Sequence, residues 1–439
     1  MGTLAVVIGL LPLAASAATI TVNTTADNIT GGDGRCTLRE ALANVDAVSE
    51  TTGGDCAAGS GTGDTVVFDL PLPATIKLAA PRYGELVITQ NVTIVGPGPN
   101  LLAIDGRHRT RVFHIIFSSG SAISNLTVQN GASKLPYTAA GGGILVEFEA
   151  VLDITNCTLR GNTAATTYST ISDAVGGGIA IFGTATLTNC TLSGNTAKGG
   201  IRARGTGGGM SVGPNGDGIV TLTNCTFSGN TAKGGTGGIG GALDNHGTAT
   251  LTNCTFSGNT ANGSGRGYDD LGGKGGGIYN GHALRLTNCT LSGNTATSRG
   301  RLAVAYGGGI GTDNIGPGIA FTLTNCLLSS NVGGSCTVGG GIDGVHNLDD
   351  DGSCGFVNPG DVSKVAANLA PLGDYGGPTQ TIALCTGPGA PNAACTAASP
   401  AIDAGDDSVT GPPDNLTTDQ RSLARLSGAH VDIGAYEVQ

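Results

Sequence analysis

"LTNCTFSGNTA" occupies residues 222–232 and returns at 251–261, and looser copies begin at Ile154, Leu187, Leu286 and Leu323. A catalytic motif usually occurs once in a chain, whereas one that recurs along it belongs to architecture. The six copies align on Cys157, Cys190, Cys225, Cys254, Cys289 and Cys326. Five residues after these stand Asn162, Asn195, Asn230, Asn259, Asn294 and Asn331. Leu or Ile lies three residues before each cysteine, and Leu or Phe two after. Strand side chains alternate faces, so positions −5, −3 and −1 should point one way. Position −1 is nevertheless always Asn, and the apolar pattern resumes at the cysteine with its parity shifted. One residue has been used to turn a corner. Asn suits that place because it tolerates the left-handed backbone conformation better than other non-glycine residues. The second Asn of each copy is expected to mark another corner.

A third strand is expected after each glycine cluster: Gly141–Gly143, Gly176–Gly178, Gly207–Gly209, Gly275–Gly277, Gly307–Gly309 and Gly339–Gly341, with Gly240-Gly241-Ala242 as a variant. Three short strands and three corners per repeat describe one turn of a parallel β-helix, an all-β solenoid whose equivalent residues stack about 4.8 Å apart. The cysteines would then form a column inside. Seven repeats and roughly three less regular turns before them predict a rod on the order of 50 Å long.

Composition agrees with such a fold. The 439 residues include 78 Gly and no Trp, and aromatics make up 4%, so large rings cannot build the core. Hydrophobic content of 39% is too high for a disordered tract. A formal charge of −11 argues against general nucleic-acid binding. Residues 1–18 form an apolar run ending in Ala15-Ser16-Ala17, read as a signal peptide, although no Lys or Arg precedes the run. A membrane anchor is the weaker alternative, because the run is short and interrupted by Pro, and no other segment reads as a span. The expected division is 1–18 signal peptide, 19–62 N-terminal cap, 63–345 β-helix and 346–439 C-terminal cap. Caps matter because unpaired end strands invite self-association.

Phe227-Ser228-Gly229-Asn230 and Phe256-Ser257-Gly258-Asn259 match the Phe-x-x-Asn signature of the bacterial polymorphic-outer-membrane-protein repeat. The resemblance covers about residues 140–345 and implies a right-handed β-helix on an exported protein. Cys36-Thr37-Leu38-Arg39-Glu40-Ala41-Leu42 resembles the CSLREA domain, with Thr37 in place of its Ser. Thr37 and Glu40 have capping-box spacing, while Leu38, Leu42 and Val45 share a helix face, which predicts a short amphipathic helix over the first turn. Ser399–Asp406, Asp419-Gln420-Arg421 and Asp432–Glu437 together resemble the choice-of-anchor Q domain, a family whose members usually carry a surface anchor next. No LPxTG-like motif follows here, which favours a released protein.

The six cysteines outside the ladder form three local pairs, Cys36/Cys56, Cys336/Cys354 and Cys385/Cys395, read as disulfides in an exported chain. The ladder cysteines read as small buried hydrophobes, and soft-metal binding is the alternative. The six histidines show no ligand spacing. Asp349-Asp350-Asp351 beside Asn347 offers a Ca²⁺ site or a solvated acidic turn.

Parallel β-helices serve enzymes and adhesins alike, so function must be argued from a site. The loops between each second Asn and the next glycine cluster would stack in one row along the rod. Lys134, Lys198, Arg202, Arg204, Lys233, Arg266, Lys274, Arg299 and Arg301 lie there, nine of the 21 basic residues, opposed only by Asp173, Asp269 and Asp270. Tyr137, Tyr168, Tyr268 and Tyr306 accompany them. A cationic row with interspersed Tyr fits an acidic polysaccharide; the plainer reading is that loops are where charge is solvated. Asp269-Asp270 is the one Asp pair inside the repeats, and Asn245-His246-Gly247 lies one turn earlier, without an Arg-x-Lys companion. The expected function is therefore a structural, adhesive or glycan-binding role at or outside the cell surface. The alternative is a polysaccharide lyase or glycoside hydrolase, in which Arg266 or Lys274 would accept the proton and Asp269 and Asp270 would hold Ca²⁺.

Overall fold

The computed structural model describes residues 16–135, 139–166, 171–214, 216–263, 272–299, 305–313, 320–338 and 342–439. One turn shows the plan. Ile179–Ile181 lies in a first sheet, Thr184–Thr188 in a second and Thr191–Ser193 in a third. The chain then leaves the barrel along Thr196–Lys198, comes back along Arg204–Thr206, and enters the next turn at Met210. Stacked turns build a first sheet of nine strands, a second of ten and a third of eleven. Pairing between turns is parallel and in register; for example, Thr184–Thr188 pairs with Ile219–Thr223. The chain is a parallel β-helix, and the ten rungs of its second sheet span roughly 45 Å.

The expectation of three strands per turn is corrected to five over the middle of the rod. Two further sheets, of six and five strands, form a side arm where loops were expected. Their signal is a short motif after the second Asn: Thr196-Ala197-Lys198, Thr231-Ala232-Lys233 and Thr260-Ala261-Asn262. Ala197, Ala232 and Ala261 are fully buried against the returning strands. A Cβ on Gly205 would lie 2.2 Å from Ala197 O, so only Gly lets the two arm sheets approach this closely. Stacking supplies each arm strand with backbone partners that an isolated loop would have to find in water.

The first corner is as the parity shift implies. Asn156, Asn189, Asn224, Asn253, Asn288 and Asn325 all have left-handed backbones, with φ between 49° and 55°. The second corner differs. Its left-handed residue is the one before the Asn: Gly161, Gly194, Gly229, Gly258, Gly293 or Ser330. That residue turns the chain so that the following Asn points inward and is buried. Asn195 shows why an amide is needed there. Its backbone N and its Nδ2 both donate to Asn230 Oδ1 at 3.0 Å, while Asn230 Nδ2 donates to Leu192 O at 2.8 Å. The same bonds repeat from Asn162 to Asn331.

The interior is stacked by type. Phe227 and Phe256 lie face to face, with centroids 4.7 Å apart. The six ladder cysteines are free and buried, and Cys190 Sγ donates to Ile154 O at 3.4 Å and to Thr188 O at 3.3 Å. Burial pushes the Cys157 thiol up to about 12. All six ladder thiols are buried, out of reach of a reagent in solution. Alkylation at mild alkaline pH should therefore modify none of the six in the folded protein and all six in denaturant, counted by mass spectrometry. Modification of a folded ladder thiol would show that the column is open. Cys36–Cys56, Cys336–Cys354 and Cys385–Cys395 are disulfides, with Cα atoms 4.9, 4.7 and 5.5 Å apart.

At the N-terminal end, helix α1 (Leu38–Ala47) carries both halves of the Thr37/Glu40 capping box and buries Leu38, Leu42 and Val45. Arg39 pairs with Asp27 at 2.7 Å. At the other end, Cys336–Thr337 closes the first sheet, so this last strand precedes Gly339–Gly341, which lie outside the described residues. The C-terminal segment then runs back along the corner between the second and third sheets. Asn253, Asn288 and Asn325 donate to Thr418 O, Asp432 O and Asp406 O. Gln420 bridges Thr226 and Thr255 at 2.9 and 2.6 Å. Thus Asn253, Asn288 and Asn325, with Thr226, Thr255 and Thr290 after their ladder cysteines, dock a strap. The expected C-terminal cap braces the side of the rod.

Candidate functional site

Each returning arm strand meets the first sheet through a glycine triplet or, at one rung, Gly240-Gly241-Ala242. Gly207 has φ +63°, and a Cβ on Gly208 would lie 2.3 Å from Gly241 O, so larger residues are excluded. The bend is re-entrant, and residues five apart face each other across it. Ala140 and Leu145, then Val175 and Ala180, give an apolar floor. The next rungs each bring in polar groups: Thr206 with Ser211, Asp244 opposite Ile239, and Lys274 with Tyr279.

Here a set of titratable groups converges from three turns. Asp244 is 1% exposed, and its Oδ2 accepts from Ser211 Oγ at 3.2 Å. His246 Nε2 lies 3.2 Å from Asp244 Oδ1, off the hydrogen-bonding direction, which leaves that buried oxygen without a hydrogen bond among the described residues. The Asp244 charge raises the His246 imidazole above its ordinary value despite burial. The Tyr279 ring lies 5.6 Å from that of His246, and its hydroxyl donates to Asp313 Oδ2 at 2.9 Å. Lys274 Nζ donates to Asp313 Oδ1 at 2.6 Å. Against the cost of burial, Lys274 and Tyr279 hold the Asp313 carboxyl below its usual range, while burial and the Asp313 charge push the Tyr279 hydroxyl up. Arg204 shares the inward face with Thr206, since Gly205 faces the other arm sheet, and Asp173 holds its guanidinium at 2.7 Å.

The far face of the arm carries a separate feature. A groove of about 460 Å³ is lined by Lys198, Lys233, Asn262 and Arg299, together with the backbone of Gly199–Ile201 and Gly234-Gly235. Lys198 and Lys233 are exposed and sit directly in register on adjacent strands, and neither has an acidic partner among the described residues. Arg202, also exposed, lies on the turn joining the two arm strands.

The expected cationic row is thus divided between the two faces. Arg204 and Lys274 belong to the re-entrant angle, where Arg204 pairs with Asp173 and Lys274 with Asp313. Tyr306 covers Lys274, with its ring centroid 5.7 Å from Nζ. Lys134 donates to His108 O. Arg266, Asp269, Asp270 and Arg301 lie outside the described residues, as do Tyr137, Tyr168 and Tyr268. Asp244, His246, Tyr279 and Asp313 were missed as a group. The available signal was parity: in each strand after a glycine cluster the middle residue points outward, and that column reads Leu145, Ala180, Ser211, Asp244, Tyr279.

Two other clusters of titratable groups are held by their own hydrogen bonds. His114 is held between Glu85 at 2.8 Å and Glu147 at 3.0 Å, with both ring nitrogens engaged. Asp349, Asp350 and Asp351 have ligand atoms within 4.8 Å of one another, the expected Ca²⁺ position. Their oxygens are, however, already accepting from Cys354 N, Ser330 N, Ser335 N and Ser353 N, as in an acidic turn.

A family model described as a right-handed β-helix region matches residues 166–348, which gives the solenoid its hand. No curated protein matches the chain. Among solved structures, the crystal structure of pectate lyase Pel9A is similar over 97% of this chain and 98% of that one, at 14% identity and a TM-score of 0.49. Among the described residues, no helix is long and apolar enough to cross a membrane.

Proposed function

We propose that this right-handed β-helix protein is exported and binds an acidic polysaccharide along its side arm. The observation that carries the reading is the groove with Lys198 and Lys233 stacked in register and Arg299 beyond them. Like charges directly opposite on neighbouring strands repel. An arrangement that accumulates them without acidic partners among the described residues suits a polyanion running along the rod, whose charges would meet lysines about 4.8 Å apart. The three disulfides and the leader-like N-terminus support export to an oxidising compartment.

The test is retention of the purified protein on a polyuronate column at low salt. Wild-type protein should be retained and should elute as salt rises, because exposed charges are screened beyond about 8–10 Å at physiological ionic strength. Lys198→Ser combined with Lys233→Ser and Arg299→Ser should pass through unretained. Equal retention of the triple variant would remove the groove from the binding site.

A further inference from the structure

We infer that the re-entrant angle between the arm and the first sheet is a catalytic site that cleaves uronate-containing chains by β-elimination, with His246 as proton acceptor. The inference rests on the polysaccharide-binding reading but uses a different face of the arm and different residues. β-Elimination needs a base for the proton on the carbon bearing the carboxylate, a cation to stabilise that carboxylate as it becomes enolate-like, and an acid for the leaving oxygen. The angle presents all three.

Asp244 is buried beside Nε2 of His246, which favours the tautomer protonated there and leaves Nδ1 as the acceptor. The His246 side chain is 41% exposed, and its Nδ1 lies beside Gly281 of the next turn, where the lack of a side chain leaves room. Arg204 faces the same angle and is the cation at its lip, with a side chain 44% exposed. Tyr279 stands beside the His246 ring, and Asp313, itself held by Lys274, orients its hydroxyl. In the reaction, Nδ1 removes the proton α to the carboxylate. The C–H electron pair forms the carbon–carbon double bond, the C–O bond to the next sugar breaks, and the leaving oxygen takes the Tyr279 proton. Proton exchange with solvent restores both side chains. No water or oxidant is consumed. The products are an unsaturated uronate at one new end and an intact sugar at the other. Asp244 is a positioning residue, and its charge makes His246 the stronger base; Arg204 opposes this, and Asp313 reinforces it.

The experiment incubates wild-type protein with polygalacturonate and with alginate, following the ultraviolet absorbance of the unsaturated product and new reducing ends in parallel. Both signals should rise together, with a rate that increases with pH through a midpoint above 6.5. His246→Gln should lower the rate about 100-fold or more while column retention stays unchanged, which shows that the variant is folded. Asp244→Asn should move the pH midpoint down, an effect that a merely structural role would not produce. Retention without product from either polymer overturns the catalytic inference and leaves the binding reading standing. New reducing ends without the unsaturated chromophore overturn it in favour of hydrolysis, and neither retention nor product overturns both.

Discussion

Replacing Glu437 with Ala is expected to destabilise the protein by about 3–5 kcal/mol, the cost of stranding one partner of a buried ion pair. Arg425 and Glu437 are both fully buried, with Nη2 2.7 Å from Oε2. Arg425 also donates to Gly434 O, Asp432 O and Tyr436 O, and Glu437 accepts from Asp432 N and Ser427 N. This pair therefore folds the strap's last residues around one guanidinium. Without the carboxylate, that fully buried guanidinium loses its salt-bridge partner. The double variant Arg425→Met with Glu437→Leu should cost much less, because it removes both charges and keeps apolar volume. Chemical denaturation gives the stability, and hydrogen exchange over 416–439 locates the loss. If Glu437→Ala unfolds within 1 kcal/mol of wild type, the strap does not depend on the pair.

The second large effect is expected from Asn230→Ala, at roughly 3–6 kcal/mol. Its side chain accepts two bonds from Asn195 and donates to Leu192 O and to Asn259 Oδ1, all in the buried interior. Truncation strands two donors and a carbonyl, each at a cost of about 1–3 kcal/mol. The comparison is Asn189→Ala on the other corner. There the left-handed backbone, at φ 54°, is the main requirement, and the expected cost is about 1–2 kcal/mol. Denaturation midpoints of the two variants test the difference, and equal losses would mean that the buried ladder contributes no more than corner geometry.

These two asparagines show how far the sequence reaches. Period and parity in "LTNC" place Asn189 at a corner, because inside and outside alternate at every residue and a single extra residue leaves a visible shift. The capping box of Thr37 and Glu40, the interior cysteine column and the three local disulfides were legible for the same reason: each depends on neighbours close in sequence or on a strict repeat. Asn230 carries the same local signature as a corner residue. That it points inward follows only from Gly229 before it and from amides one turn away on either side.

The site lay further from view. Asp244, His246, Tyr279 and Asp313 share no spacing that signals chemistry, and their meeting depends on a re-entrant bend at glycine triplets that a linear reading takes for loop punctuation. The arm has the same origin: Thr-Ala-x strands are too short and too small to announce a sheet until stacking supplies their partners. Repeat, parity and local chemistry thus determined that this chain is a β-helix with stacked amides and thiols inside. The tertiary structure decided which side chains of different turns face one another, because contacts across a solenoid's bends are set by stacking in space and leave no period in the chain.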